Sequence, residues 1–145
     1  MKKLTFIFDA DDTLWENQAL FNEFSQRWCA IAAGYGLCLD QAMSMLKRYD
    51  EQCYKQHRFG NIYYLGSMIR VFQELLTSGE AKKAEFEIRV VHDEIFLSPP
   101  VVYPGTSEAL EELSDCADLF ILTKGDPATQ RRKIEQSGLE KWFNG

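Results

Sequence analysis

Residues 4–15 read LTFIFDADDTLW, five mostly apolar residues running straight into three aspartates within four positions. A short run rich in strand formers and apolar on both faces predicts a buried parallel β-strand over Leu4–Phe8. If that strand continues, Asp9 and Asp11, two apart, project toward one side at its carboxyl end, where open α/β sheets bind ligands. Carboxylates held so close repel unless something positive sits among them.

The rest of the chain says what kind of sheet this strand enters. From about residue 17 the apolar period changes from two to that of helices. Leu20, Phe24, Trp28, Ile31 and Tyr35 mark a first helix closed by Gly34 and Gly36; Ala42, Met45, Tyr49 and Cys53 mark a second with Asp40 as its N-cap. Ile62, Leu65, Ile69, Phe72 and Leu76 mark a third, and Ala84, Ile88, Val91 and Ile95 a fourth. Pro99, Pro100 and Pro104 then stop any helix. A helix is predicted over 106–114, a second buried strand over 119–122 ending in Thr123-Lys124-Gly125-Asp126-Pro127, and a last helix capped by Asp126, opened by Pro127 and closed by Gly138. The order strand, helical insert, helix, strand, helix is an α/β plan. Residues 1–16 and 99–145 form its core and residues 17–98 the insert.

Composition narrows the function classes. The 145 residues carry a formal charge of -6 and no basic stripe, which argues against a nucleic-acid partner. The largest basic run, Arg131-Arg132-Lys133, reads as one solvated helix face. Cys29, Cys38, Cys53 and Cys116 form no CxxC pair and have no histidine at zinc spacing, which predicts reduced thiols. The opening apolar stretch is shorter than a secretory h-region of ~7–15 residues, and nothing approaches the ~18 apolar residues of a membrane span. A cytoplasmic location with no membrane partner is the expectation.

Two carboxylates, a hydroxyl at Thr123, the Gly125 backbone and a helix N-terminus suit a divalent cation and a phosphate together. A calcium loop starting at Asp9 would need glycine and glutamate where Leu14 and Leu20 stand. A glycosidase pair must flank its bond from opposite sides, which neighbours on one strand cannot do. The plainest alternative is an aspartate-rich turn that caps the segment after it.

FIFDADDTLW resembles the first motif, DxDxT after an apolar strand, of the haloacid dehalogenase (HAD) superfamily, and LFILTKGD resembles its second, an apolar strand ending in Ser or Thr. YPGTSEALEEL is similar to the segment by which those proteins return to the core after a helical cap. The resemblance implies a Rossmann-like HAD core, incomplete within these residues, with an inserted four-helix cap. It also implies a Mg²⁺-dependent phosphohydrolase acting on a small phosphorylated substrate. Asp9 then corresponds to the nucleophile and Asp11 to the general acid and base, with Asp9 and the Asp11 carbonyl holding Mg²⁺. Thr13 would position Asp11, Thr123 would bind phosphoryl oxygens helped by Lys124 and Gly125, and Asp12 would face away. The dehalogenases lack the second aspartate, because a halide leaves without a proton, so Asp11 favours phosphate esters.

The family's third motif, a lysine, and its acidic fourth motif find no match before Gly145, and Lys133 and Lys141 come too early for the third. The expectation is the N-terminal part of a longer phosphatase. The alternatives are a non-catalytic fragment or binding module completed by another chain, and a phosphomutase or dehalogenase of the same superfamily. His57 and His92 lack partners at ligand spacing, Trp15 either lines a cap entrance or packs, and YKQHRFGNIYY reads as a helix junction with interior tyrosines.

Overall fold

A computed structural model of the chain describes residues 4–144. The chain divides into two compact units. One comprises the residues up to Ala19 and those from Pro99 onward, the other Leu20–Ser98.

In the α/β unit, strand β1 (Leu4–Phe8) pairs in parallel with β2 (Ala117–Ile121), Leu4 opposite Ala117 and Phe8 opposite Ile121. Leu122 N–H extends the ladder onto the Phe8 carbonyl at 2.9 Å. Helix α5 (Thr106–Ser114) leads into β2, and α6 (Pro127–Ser137) follows it. The core gathers Ala10, Leu14, Trp15, Leu110, Ala117, Leu119 and Leu139, with Phe8, Ile121, Ile134 and Phe143 packed against it. Asn144 N–H reaches the Leu119 carbonyl at 2.7 Å, bringing the chain alongside the other edge of β2.

β1 departs from the sequence expectation of burial. Leu4 and Ile7 are 62% and 65% exposed, and Phe6 is exposed as well. An apolar run predicts burial only if both of its faces are covered. Among the described residues only Phe8 of this strand joins the core. β2 starts two residues earlier than expected and ends at Ile121, so Leu122 lies outside it and is exposed.

The helical unit is built from α1 (Gln18–Gly34), α2 (Leu39–Lys55), α3 (Asn61–Leu75) and α4 (Ser78–Phe96). Phe24, Trp28, Leu46, Met68, Phe72 and Ile88 are fully or almost fully buried at its centre. Phe24 sets its ring edge-on to Tyr64 and Phe96 with centroids 6.2 and 5.3 Å apart, a favoured geometry for the aromatic quadrupole. Thr77 and Glu80 form a reciprocal capping box at the start of α4. Asp40 is not the N-cap of α2; that position is Cys38, without a side-chain bond, and Asp40 lies in the first turn, where its charge suits the helix dipole. Tyr54 and Tyr63 are exposed, so of the expected interior tyrosines of the α2–α3 junction only Tyr64 turns inward.

Candidate active site

Parallel pairing puts the carboxyl ends of β1 and β2 at one edge. With Phe8 opposite Ile121, the chain leaves β1 at Asp9 level with Leu122, one residue before Thr123. Beyond Phe8 the strand does not continue. Thr13 and Leu14 N–H groups both close onto the Ala10 carbonyl, at 3.2 and 2.8 Å, and Asp12 has φ +59°. The aspartates therefore sit on a turn, and strand alternation does not set their directions.

Each aspartate has its own environment. Asp9 is exposed, and its carboxylate takes one long bond, 3.4 Å, from the Thr13 hydroxyl. The Thr13 hydroxyl thus reaches Asp9, whereas the resemblance implied that it positions Asp11; the turn brings residue 13 back toward residue 9. Asp12 accepts the N–H groups of Asn17 and Gln18, both at 2.9 Å, and so tethers the foot of α1. The capping alternative holds for Asp12 alone.

Asp11 is half-buried and held by three donors. Its Oδ1 receives the Trp15 indole N–H at 2.7 Å and the Lys133 ammonium at 2.8 Å, and its Oδ2 receives the Gln130 amide at 3.2 Å. Trp15 is fully buried, and Tyr103 N–H bonds to the Leu14 carbonyl at 3.0 Å just beside it. Lys133 is only 8% exposed, which corrects the reading of residues 131–133 as a solvated face.

The reason lies in α6. Asp126 caps it by accepting Thr129 N–H at 2.8 Å, and Pro127 opens it, so its phase is set from the first residue. Gln130, Lys133 and Ile134 then share the inward face. The sequence signal that could have placed Lys133 inward is this helical phase.

Thr123 is half-buried and Lys124 exposed; the Lys124 carbonyl accepts the Gln130 amide at 3.0 Å. Gly125 has φ +130°, and a Cβ there would lie 2.9 Å from Gln130 Nε2. Thr123, Gly125, Gln130 and Arg131 line a cleft of about 520 Å³ together with Ile121 and Phe143. The Asp126 carboxyl is held below the usual carboxylate range, first by the Thr129 backbone N–H and then by the Thr129 hydroxyl. His57 and His92 both lie in the helical unit. His57 is exposed with φ +56°, and His92 is buried against Phe24 in the helical unit.

Among the described residues no group of three or more acidic, histidine or cysteine side chains converges on a point that would hold a metal. With both Asp11 oxygens engaged, the oxygen donors at this edge include the Asp9 carboxylate and main-chain carbonyls. Magnesium keeps several waters and needs only one or two carboxylates plus a substrate phosphate, so this sparse donor set fits it.

The model of the haloacid dehalogenase-like hydrolase family matches residues 4–145, and the chain belongs to that family. A haloacid dehalogenase-like hydrolase of Xanthomonas campestris superposes with a TM-score of 0.82 at 26% identity, over 97% of this chain and 59% of that one. YfnB of Bacillus subtilis, a HAD-family protein solved bound to magnesium, gives 0.58 at 18% identity, over 99% and 64%. A 2-haloacid dehalogenase of Pseudomonas syringae gives 0.57 at 21%, over 99% and 62%. The chain thus spans less than two thirds of the length of each. Among proteins of curated function, none matches it. No helix of the described residues is long and apolar enough to cross a membrane.

Proposed function

We propose that the chain carries the nucleophile and the acid–base group of a magnesium-dependent phosphohydrolase acting on a small phosphorylated metabolite. The observation that carries this reading is the pairing of an exposed carboxylate, Asp9, with a second carboxylate, Asp11, that is half-buried and hydrogen-bonded, at the edge where the chain leaves β2 toward Thr123. Two acids in contrasting surroundings on one turn suit two different tasks.

In the proposed reaction an Asp9 carboxylate oxygen bonds to phosphorus as the bond to the leaving oxygen breaks. Asp11 gives that oxygen its proton. Water then attacks the aspartyl phosphate at phosphorus, Asp11 takes the water's proton, and Asp9 and inorganic phosphate are released. Thr123 and the Gly125 backbone follow β2 at the edge where Asp9 follows β1, and with Lys124 they would bind phosphoryl oxygens. Magnesium, held by Asp9 and the Asp11 carbonyl, would supply charge neutralisation at the phosphoryl group.

Phosphate is preferred to an organic halide because of Asp11. An alkoxide needs a proton to leave and a halide does not, so an acid beside the nucleophile has work only in the first case. The test is release of phosphate from an aryl phosphate with and without magnesium, with Asp9→Asn as the control and a 2-haloacid as the competing substrate. Magnesium-dependent phosphate release that Asp9→Asn abolishes is expected. Equal activity in the variant, or release of halide alone, refutes the reading.

A further inference from the structure

Asp11 is two residues from Asp9, and the chain itself supplies a positive group against it. Lys133 Nζ lies 2.8 Å from Asp11 Oδ1 and 2.8 Å from Asn17 Oδ1, with its side chain 10% exposed. One ammonium therefore ties α6 to the aspartate turn and to the residue just before α1. On the same helix face, Gln130 joins Asp11 Oδ2 to the Lys124 carbonyl. With Trp15 donating to Oδ1 as well, neither Asp11 oxygen can rotate without breaking a bond.

We infer that Lys133 is a positioning residue for Asp11. It fixes the carboxylate's orientation and offsets the repulsion between two acids crowded at the end of β1. The inference rests on the phosphohydrolase reading for its kinetic consequence, though not for the contact itself. Lys133 approaches the acid–base aspartate from α6, a helix whose start also forms the Thr123–Gly125 side of the cleft. Lys133 and Gln130 thereby hold Asp11 against the same face of α6. A misplacement of about 1 Å in such a group costs on the order of 10²-fold in rate.

Two measurements on the full chain with Lys133→Met test this, since methionine keeps the apolar stem and the helix propensity. The first is the indole N–H resonance of Trp15 in a ¹H–¹⁵N correlation spectrum, assigned by its loss in Trp15→Phe. Lys133 and Trp15 share Asp11 Oδ1, so Lys133→Met is expected to move the Trp15 resonance and leave those of Trp28 and Trp142 in place. The second is kinetic. Lys133→Met is expected to lower kcat for an aryl phosphate on the order of 10²-fold with KM unchanged. In an Asp11→Asn background the same substitution should cost nothing more, whereas a merely structural lysine would cost the same in both. An unmoved Trp15 resonance, or full additivity with Asp11→Asn, overturns the inference. An Asp9→Asn variant with parental activity sinks the phosphohydrolase reading alone, and the indole measurement still decides the contact.

Discussion

The helical unit and the α/β unit use their apolar residues in opposite ways. Leu20–Ser98 turns Phe24, Trp28 and Phe72 inward, all fully buried, and this packing holds its four helices together. The α/β unit leaves most of β1 open on both faces and concentrates its order beneath the aspartate turn, where Trp15, Leu14 and Ala10 are buried and Asp11 is triply bonded. Rigidity in the first is spread through a core, and in the second it is focused on one carboxylate. Substitutions should therefore act on stability in the helical unit, and on the geometry of the aspartate turn in the other.

The largest effect should come from Phe24→Ala. It removes a fully buried ring that contacts Tyr64, His92 and Phe96. A Phe→Ala cavity of this kind costs ~3–5 kcal/mol, to be read from urea unfolding. A cost under 1 kcal/mol, the usual range for surface sites being about ±0.5, would break the contrast between a packed and a focused unit.

Gly125→Ala comes next. Its φ of +130° is a conformation that side chains rarely adopt, and the new methyl would press on the Gln130 amide. Strain of ~1–3 kcal/mol is expected. Because Gln130 also bonds Asp11, any release of phosphate that the proposed reading expects should fall further than the stability loss explains. Full activity in a strained but folded variant would show that Gln130 is dispensable to the site.

Asp126→Ala should have a smaller effect whose dependence on pH is its signature. The Asp126 carboxyl is depressed chiefly by the Thr129 backbone N–H, with the Thr129 hydroxyl, the Ala128 N–H and Arg132 acting in the same direction and desolvation opposing. A folded-state value below the unfolded ~3.9 makes the cap's contribution fully present above that pH and lost as pH falls through the folded value. Parent and variant should thus differ in thermal midpoint at neutral pH and converge below about pH 4. A pH-independent difference would place the effect of Asp126 elsewhere than in its charge.

The elements were largely legible in the sequence because each has a local cause. Helical period marked α1 to α4, Asp126-Pro127 and Gly138 bounded α6, and two apolar runs gave parallel strands. The bonds on Asp11 were not legible in the same way. Lys133 is 122 positions from its partner, and a basic run looks solvated until the helix bearing it is phased from its cap. The directions of Asp9 and Asp11 were missed for a related reason, since strand alternation was carried past Phe8 into residues that form a turn. Burial of β1 was overestimated because a sequence records how apolar a face is and not what covers it.

That last difference yields the smallest and most discriminating prediction. Ile7 is 65% exposed, and threonine at that position keeps the β-branched stem that suits a strand while removing apolar surface. If the face of β1 is open to solvent, Ile7→Thr changes stability by no more than ~0.5 kcal/mol, as surface substitutions do. If urea unfolding instead shows a loss of ~2 kcal/mol or more, the magnitude of a buried aliphatic truncation, that face is covered in solution. The α/β unit would then be a packed core like its neighbour, and the order beneath Asp11 would be the centre of a larger packed layer and not an isolated focus.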